Sequence, residues 1–232
     1  MKFVELDPAS LSPRDMSHLM NGVVVPRPIA WVSTIDVDGN RNLAPHSYFN
    51  AVSCEPPIVQ FTSTHSSQHD PAGYKDTLRN VRATGEFVIN VVSEELLDAM
   101  NTTAIDSPPG VDEFQLAGLE AIASARVRPP RVARSKVALE CRVHMLMPIG
   151  DATMIFGDVL LVHVRDDVWV DGRVCYEQLM AVGRLGGSNY APFRGLLTLR
   201  RPRWSEQQTR ATEHEDVEAR TSVSAAVSTP KN

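Results

Sequence analysis

The chain has 232 residues, a formal net charge of -5, and 43% hydrophobic against 22% charged residues. Those proportions belong to a folded globular protein of one large or two small domains, and the acidic balance argues against nucleic acid or an anionic membrane surface as the main partner. The three cysteines, Cys54, Cys141 and Cys175, form no CxxC pair, which excludes a zinc ribbon or a thioredoxin-type motif and leaves buried free thiols as the expectation.

The first residues, Met1-Lys2-Phe3-Val4-Glu5-Leu6-Asp7, carry acids where a signal peptide needs an apolar run, and no apolar stretch is long enough to span a bilayer. A soluble cytoplasmic protein is expected. Ser12-Pro13-Arg14-Asp15 starts a helix with Met16, Leu19 and Met20 on its apolar face, and Asn21-Gly22 is expected to end it. Residues 23–35 read as a strand disturbed by Pro26 and Pro28. Asp36-Val37-Asp38-Gly39-Asn40 is a hairpin turn, residues 41–45 are the return strand, and 57–63 form another strand. Between them, Ser47, Asn50 and Ser53 stand at three-residue spacing in what reads as an irregular segment.

Residues 64–74 form a polar loop, and a helix capped by Asp76 or Thr77 ends at Gly85. A strand over Phe87–Val92, a helix after Ser93 and a short helix near Val111–Ala117 follow. Residues 137–145 alternate without error: Val137, Leu139, Cys141, Val143 and Met145 face one way, and Ala138, Glu140, Arg142 and His144 the other. A long strand over 153–164 and a short one with an Asp171-Gly172 turn complete the pattern. Many strands, few helices and no βαβ rhythm predict a mainly β, antiparallel barrel with inserted helices over residues 1–203. Residues 204–232, rich in Glu, Thr, Ser and Ala, read as a disordered polar tail.

Several stretches carry possible chemistry. Thr62, Ser63 and Thr64 place hydroxyls at a strand end, and Lys75-Asp76-Thr77 opens a helix whose first N–H groups attract an anion. Each also has a plain structural reading: a solvated loop for the hydroxyls, a helix cap for the Lys-Asp-Thr run, and turns for Ser47, Asn50 and Ser53. His65 and His69, four apart, have no evident third ligand, and Pro71 favours a loop, so no metal site is expected. No G-x-S-x-G elbow is present, and Gly183-Arg184-Leu185-Gly186-Gly187 is not a dinucleotide-binding fingerprint.

Taken in order, the motifs resemble one family. Pro26-Arg27-Pro28-Ile29-Ala30-Trp31-Val32-Ser33-Thr34 is followed by Asn42-Leu43-Ala44-Pro45, Ser47-Tyr48-Phe49-Asn50-Ala51-Val52-Ser53 and Lys75-Asp76-Thr77 with Asn80. Then come Thr84-Gly85-Glu86-Phe87-Val88-Ile89-Asn90, Gly110-Val111-Asp112-Glu113-Phe114, Leu116-Ala117-Gly118-Leu119, Gly157-Asp158-Val159 with His163, and Gly183-Arg184-Leu185-Gly186-Gly187 with Tyr190. This series, over about residues 15–195, resembles the flavin reductase-like family of FMN-binding split β-barrels, antiparallel and of Greek-key type. The resemblance implies a homodimer that binds FMN near the subunit interface and takes a hydride from NADH or NADPH, with a monooxygenase component among the partners implied. It implies that Ser47, Asn50 and Ser53 line the flavin, and that Thr62, Ser63, Lys75, Asp76 and Thr77 make ribityl or phosphate contacts. It puts Arg27, Trp31 and Tyr190 at the cofactor's border. No acid, base or nucleophile is singled out; Arg27, His46 and Tyr190 are candidates for orienting the hydride donor. His46 stands where many relatives carry an aromatic residue, and Ala181 where a proline is common. Alternatives with the same site are a flavodoxin-like electron carrier and a bound-FMN reductase of ferric ion or a small organic acceptor.

Overall fold

The structure, a computed structural model, describes residues 1–204; the predicted tail from Ser205 onward lies outside the described residues. One compact unit spans Met1–Arg194. Residues 195–203 belong to a second unit and form no helix or strand.

In chain order the strands are β1 (Ala30–Ile35), β2 (Arg41–His46), β3 (Phe49–Cys54), β4 (Pro57–Thr64), β5 (Glu86–Val91), the short pair β6 (Ala121–Ile122) and β7 (Arg131–Val132), the long β8 (Val137–Ile149) and β9 (Ala152–Val164), and two more short pairs, β10 (Trp169–Val170) with β11 (Arg173–Val174) and β12 (Val182–Arg184) with β13 (Tyr190–Pro192). The helices are α1 (Pro13–Val23), α2 (Asp76–Thr84), α3 (Leu97–Thr102), α4 (Glu113–Leu116) and α5 (Tyr176–Leu179). Seven strands form one antiparallel sheet in the order β2-β1-β5-β8-β9-β4-β3. Its two edge strands, β2 and β3, are consecutive in the chain. The sheet therefore curls back on itself at Ser47-Tyr48, where Tyr48 O accepts from Thr62 N at 2.9 Å and the His46 ring packs on Phe61 at 4.9 Å.

The curl encloses a core of Val32, Phe61, Leu78, Val81, Phe87, Ile89, Cys141 and Ile155, with α2 as its lid. Each such side chain contributes about 1.5–3 kcal/mol by leaving water. Phe61 and Phe87 meet edge to face at 5.3 Å. Gly157 lies so close to the Phe87 ring that a Cβ there would sit 2.3 Å from Phe87 Cζ, so only glycine fits beneath this aromatic pair. A second cluster, on the other side of the sheet, gathers Trp31, Leu43, Leu96, Met100 and Phe114.

Several sequence expectations need correction, the buried thiols among them: Cys141 is buried, but Cys54 is exposed and Cys175 half-buried. Helix α1 does not stop at Asn21-Gly22 but runs to Val23, because Arg27 reaches back to it: Nη1 donates to Asn21 O at 2.7 Å and to Val24 O at 2.8 Å. A guanidinium on the otherwise open carbonyls of a helix end offsets the cost of Gly22. The segment read as irregular is mostly strand β3, paired with β4 through a bulge between Ala51 and Ser53. The alternation of β8 is broken by a bulge between Val143 and Met145, while the register shift at Glu140/Cys141 places its extra residue, Leu160, on β9. Met145 consequently turns outward while Leu146 packs on the core. The opposite face is covered only along its first part, where Ala138 packs with Val88 and Val127 and the fully buried Glu140 carboxylate accepts from Ala125 N, Arg126 N and His163 Nε2, while Arg142 and His144 are exposed. Burial pushes that carboxyl up, but these donors outweigh it and hold it below its ordinary value.

Candidate functional site

A continuous groove runs across the end of β2. At one end Ser17, Asn21 and Tyr48 face Thr62, Thr64 and Lys75. In the middle, Pro45 and His46 face Lys75–Thr77 and the loop Thr103–Ser107. At the far end, Ser47 faces Arg184 and Tyr190 over a floor of Ile29 and Met100.

Strand period decides which hydroxyls reach this groove. Along β4, Val59, Phe61 and Ser63 point into the core, while Thr62 and Thr64 take the opposite face. Ser63 is fully buried and its hydroxyl has no hydrogen-bond partner among the described residues. Its neighbours Thr62 and Thr64 line the groove opposite Lys75. Lys75 occupies the N-cap position of α2 without a side-chain cap, so the first amides of the helix remain open. Its ammonium makes no hydrogen bond or ion pair among the described residues. The adjacent Asp76 is already engaged: it pairs with Arg79, which Asp70 also contacts at 3.4 Å. Burial raises the Asp76 carboxyl above its ordinary value, with Arg79 pulling the other way. An arriving anion therefore meets a free ammonium, open helix amides and two threonine hydroxyls, which is the donor set a phosphate monoester needs.

Behind the groove lies a buried polar network. Thr77 Oγ1 contacts Asn42 Oδ1 at 3.0 Å and His46 Nε2 at 3.3 Å. Asn42 Nδ2 donates to Glu113 Oε2 at 3.1 Å, Leu43 N donates to the same oxygen at 3.0 Å, and Ser107 Oγ donates to Glu113 Oε1 at 2.6 Å. Thr34 and Asn80 close the network from the far side. Burial, aided by the Lys75 charge, pushes the His46 imidazole down to about 3, so the ring is neutral at ordinary pH. None of Asn42, Glu113 or Ser107 stood out in the sequence as a site residue. The signal was present in Asp112-Glu113-Phe114, where Asp112 caps α4 and leaves the following carboxylate facing inward.

The structure brings Ser47, Thr62, Lys75, Asp76, Thr77 and Tyr190 to this groove. Arg27 lies behind Ser47, with Nε 3.4 Å from its hydroxyl, and its Nη atoms are taken by carbonyls of Asn21, Val24 and Leu185. It is a structural tie rather than a free cation. Tyr190 donates to Asn101 Oδ1 at 3.2 Å and carries the Arg184 guanidinium 4.4 Å over its ring. Four expected residues lie elsewhere. Trp31 is fully buried, and its indole N–H donates to Thr103 Oγ1 at 2.9 Å. Its place in the β1 run was apparent, but its direction was not: it points to the second core. Ser63 faces the first core. Asn50 and Ser53 sit on edge strand β3, where Asn50 Oδ1 accepts from Ala51 N and Ser53 Oγ from Glu55 N. Three-residue spacing on a strand does not keep side chains on one face.

Comparison with known proteins agrees with this architecture. The flavin reductase like domain matches residues 20–178. An uncharacterised protein of Aquifex aeolicus is 44% identical over 173 residues, 74% of this chain and 87% of that one. Among solved structures, nitrilotriacetate monooxygenase component B from Bacillus cereus superimposes with a TM-score of 0.81 at 31% identity, covering 86% of this chain and all of that one. The 2-nitrobenzoate 2-nitroreductase NbaA of Pseudomonas fluorescens gives a TM-score of 0.78 at 27% identity, covering 87% and 98%. The large antiparallel sheet with few inserted helices is the split-barrel fold of flavin reductases, and the chain belongs to the flavin reductase-like family.

Proposed function

We propose that this flavin oxidoreductase is an NAD(P)H-dependent flavin reductase that binds FMN in the groove at the end of β2. The observation that carries the FMN reading is the unpaired Lys75 ammonium at the uncapped N-terminus of α2, opposite Thr62 and Thr64. Bound flavin supplies an acceptor for a hydride from NADH or NADPH. The residues of the chain bind and orient it. Lys75, the α2 amides, Thr62 and Thr64 hold the phosphate; Pro45, His46 and Ser47 form the wall along which the rest of the cofactor extends. Tyr190 and Arg184 bound the open end, where a donor or acceptor has access. The proposal keeps the homodimer, which the exposed apolar side chains of Met145, Met147 and Ile149 on β8 and Val52 on β3 support. Similarity to a monooxygenase component supports a separate oxygenase as consumer of the reduced flavin. A second reading, reduction of a small organic acceptor by retained flavin, is favoured by the likeness to a nitroreductase.

The direct test is an absorbance scan of the protein with FMN, followed by anaerobic NADH and then NADPH. Bleaching of the visible flavin band is expected with at least one donor. Binding without bleaching would turn the reading towards an electron carrier, and absence of binding would remove the flavin altogether. Lys75→Ala tests the phosphate site. It should weaken FMN by about 1.5–3 kcal/mol, the worth of a charge-assisted contact, and leave riboflavin, which has no phosphate, nearly unchanged. Equal weakening of both ligands in titrations would refute the placement.

A further inference from the structure

The buried contacts around His46 are one proton short. Follow them from one end: Thr62 O lies 3.2 Å from His46 Nδ1, His46 Nε2 lies 3.3 Å from Thr77 Oγ1, and Thr77 Oγ1 lies 3.0 Å from Asn42 Oδ1. Both ends of this chain are acceptors. The Thr62 oxygen is a backbone carbonyl. The Asn42 amide is fixed with its oxygen towards Thr77 because its Nδ2 donates to Glu113 Oε2. Thr34 cannot supply the missing donor from its side: it accepts from Asn80 Nδ2 and spends its own proton on Asn42 Oδ1. Three contacts between two terminal acceptors need three protons. A neutral imidazole brings one and the Thr77 hydroxyl one. Either the Nδ1 or the Nε2 contact, or the Thr77–Asn42 contact, lacks a hydrogen, and both imidazole contacts are longer than the ~2.9 Å usual for N–H···O. An imidazolium completes the chain: Nδ1–H to Thr62 O, Nε2–H to Thr77 Oγ1, and Thr77 O–H to Asn42 Oδ1.

The surroundings explain why that proton stays out of the free protein. His46 is only 7% exposed and rests on the Phe61 ring. From α2, the unpaired Lys75 charge opposes a second cation, while Asp76, the next acid on that helix, is neutralised by Arg79. On the facing loop and α4, Asp106 and Glu113 are acids, but Asp106 is held by Gln68 N and Glu113 by its three donors. From the β1 side, Arg27 is another cation, placed behind Ser47. Glu113 and Asp106 keep their charges behind hydrogen bonds from neutral groups, so the charge that most directly opposes an imidazolium is that of Lys75, and an anion docked on Lys75 would offset it.

We propose that the groove is a proton-coupled anion site: a phosphate-monoester ligand that docks on Lys75 enters together with one proton, taken from the buffer acid and held on the His46 ring. This inference rests on the phosphate reading given above. In this arrangement His46 is a positioning residue. As imidazolium it locks Thr77 and Asn42 in one hydrogen-bonded state and adds a positive charge beside the bound anion.

The test is long-range nitrogen–proton NMR of the His46 ring in the intact protein at neutral pH, alone, with riboflavin and with FMN. The free and riboflavin-bound protein should show one protonated ring nitrogen, and FMN should shift both nitrogens to the protonated range in proportion to occupancy. Calorimetric titration of FMN in buffers of different ionisation enthalpy should show greater proton uptake by wild type than by His46→Gln, the difference approaching one proton per site. FMN bound with His46 still neutral overturns the inference and leaves the phosphate site standing. Equal protonation by riboflavin overturns the link to the anion. Failure to bind FMN at all overturns the flavin reading and this inference with it.

Discussion

Glu113→Ala is expected to destabilise the protein by about 4 kcal/mol in urea unfolding, because it leaves two buried donors without an acceptor at about 1–3 kcal/mol each. Those donors are Leu43 N and Asn42 Nδ2, both of which share Glu113 Oε2. That loss is large against a total of about 5–15 kcal/mol for a typical domain. Glu113→Gln should cost far less: the amide oxygen can accept from the same two donors, and its NH2 group can donate to Ser107 Oγ. The pair of variants separates hydrogen bonding from the mere filling of space. The alanine variant also frees the Asn42 amide to turn over, so its FMN affinity should fall even at denaturant-free equilibrium. If Glu113→Ala unfolded at the wild-type midpoint, the carboxylate would have no role in holding β2 against α4.

Trp31→Ala should cost about 3–5 kcal/mol, the usual penalty for emptying a large aromatic site in a core. The residue has no exposed surface and packs with Leu43, Leu96, Met100 and Phe114. Trp31→Phe keeps most of that burial and loses chiefly the bond to Thr103, so a loss of about 1–2 kcal/mol is expected. Thr103 Oγ1 retains its own bond to Met100 O at 2.8 Å. FMN affinity should be little changed in the phenylalanine variant. A large loss of affinity with stability preserved would return Trp31 to the cofactor's border, where the family resemblance had put it.

The contrast between Trp31 and Lys75 shows what a sequence discloses about this fold. The strands, the Asp36–Asn40 turn and the helix ending at Gly85 were legible, because period and turn chemistry are local properties. The start of α2 was legible only to within a residue or two: the sequence pointed to Asp76 or Thr77 as its cap, whereas Lys75 holds the N-cap position. The directions of Trp31 and Ser63 were not legible because a motif names a residue without naming its face; on a strand the neighbour one step away points to the opposite side. The three-residue spacing of Ser47, Asn50 and Ser53 suggested a shared direction only while the segment was taken as irregular. Asn42, Ser107 and Glu113 were not read as site residues, since their meeting depends on contacts of up to about seventy residues' separation that no local pattern encodes. The bulge in β8 escaped notice for a similar reason: its alternation is flawless in sequence, and the shift shows only in its pairing with β9.

The alternation along β4 also sets rules for change over evolutionary time or in redesign. Thr62 and Thr64 face the groove only because Phe61 and Ser63 face the core. A single deletion between Pro57 and Phe61 would exchange those roles, drive a threonine hydroxyl into the aromatic core and turn Phe61 out to solvent. Side chains in this strand can be swapped one at a time, but its length cannot drift. The Asp171-Gly172 turn joins β10 and β11, a two-stranded pair with no further partner strand among the described residues. Insertions that diversify this protein are therefore expected to accumulate there, while the residue count from Pro57 to Thr64 stays fixed.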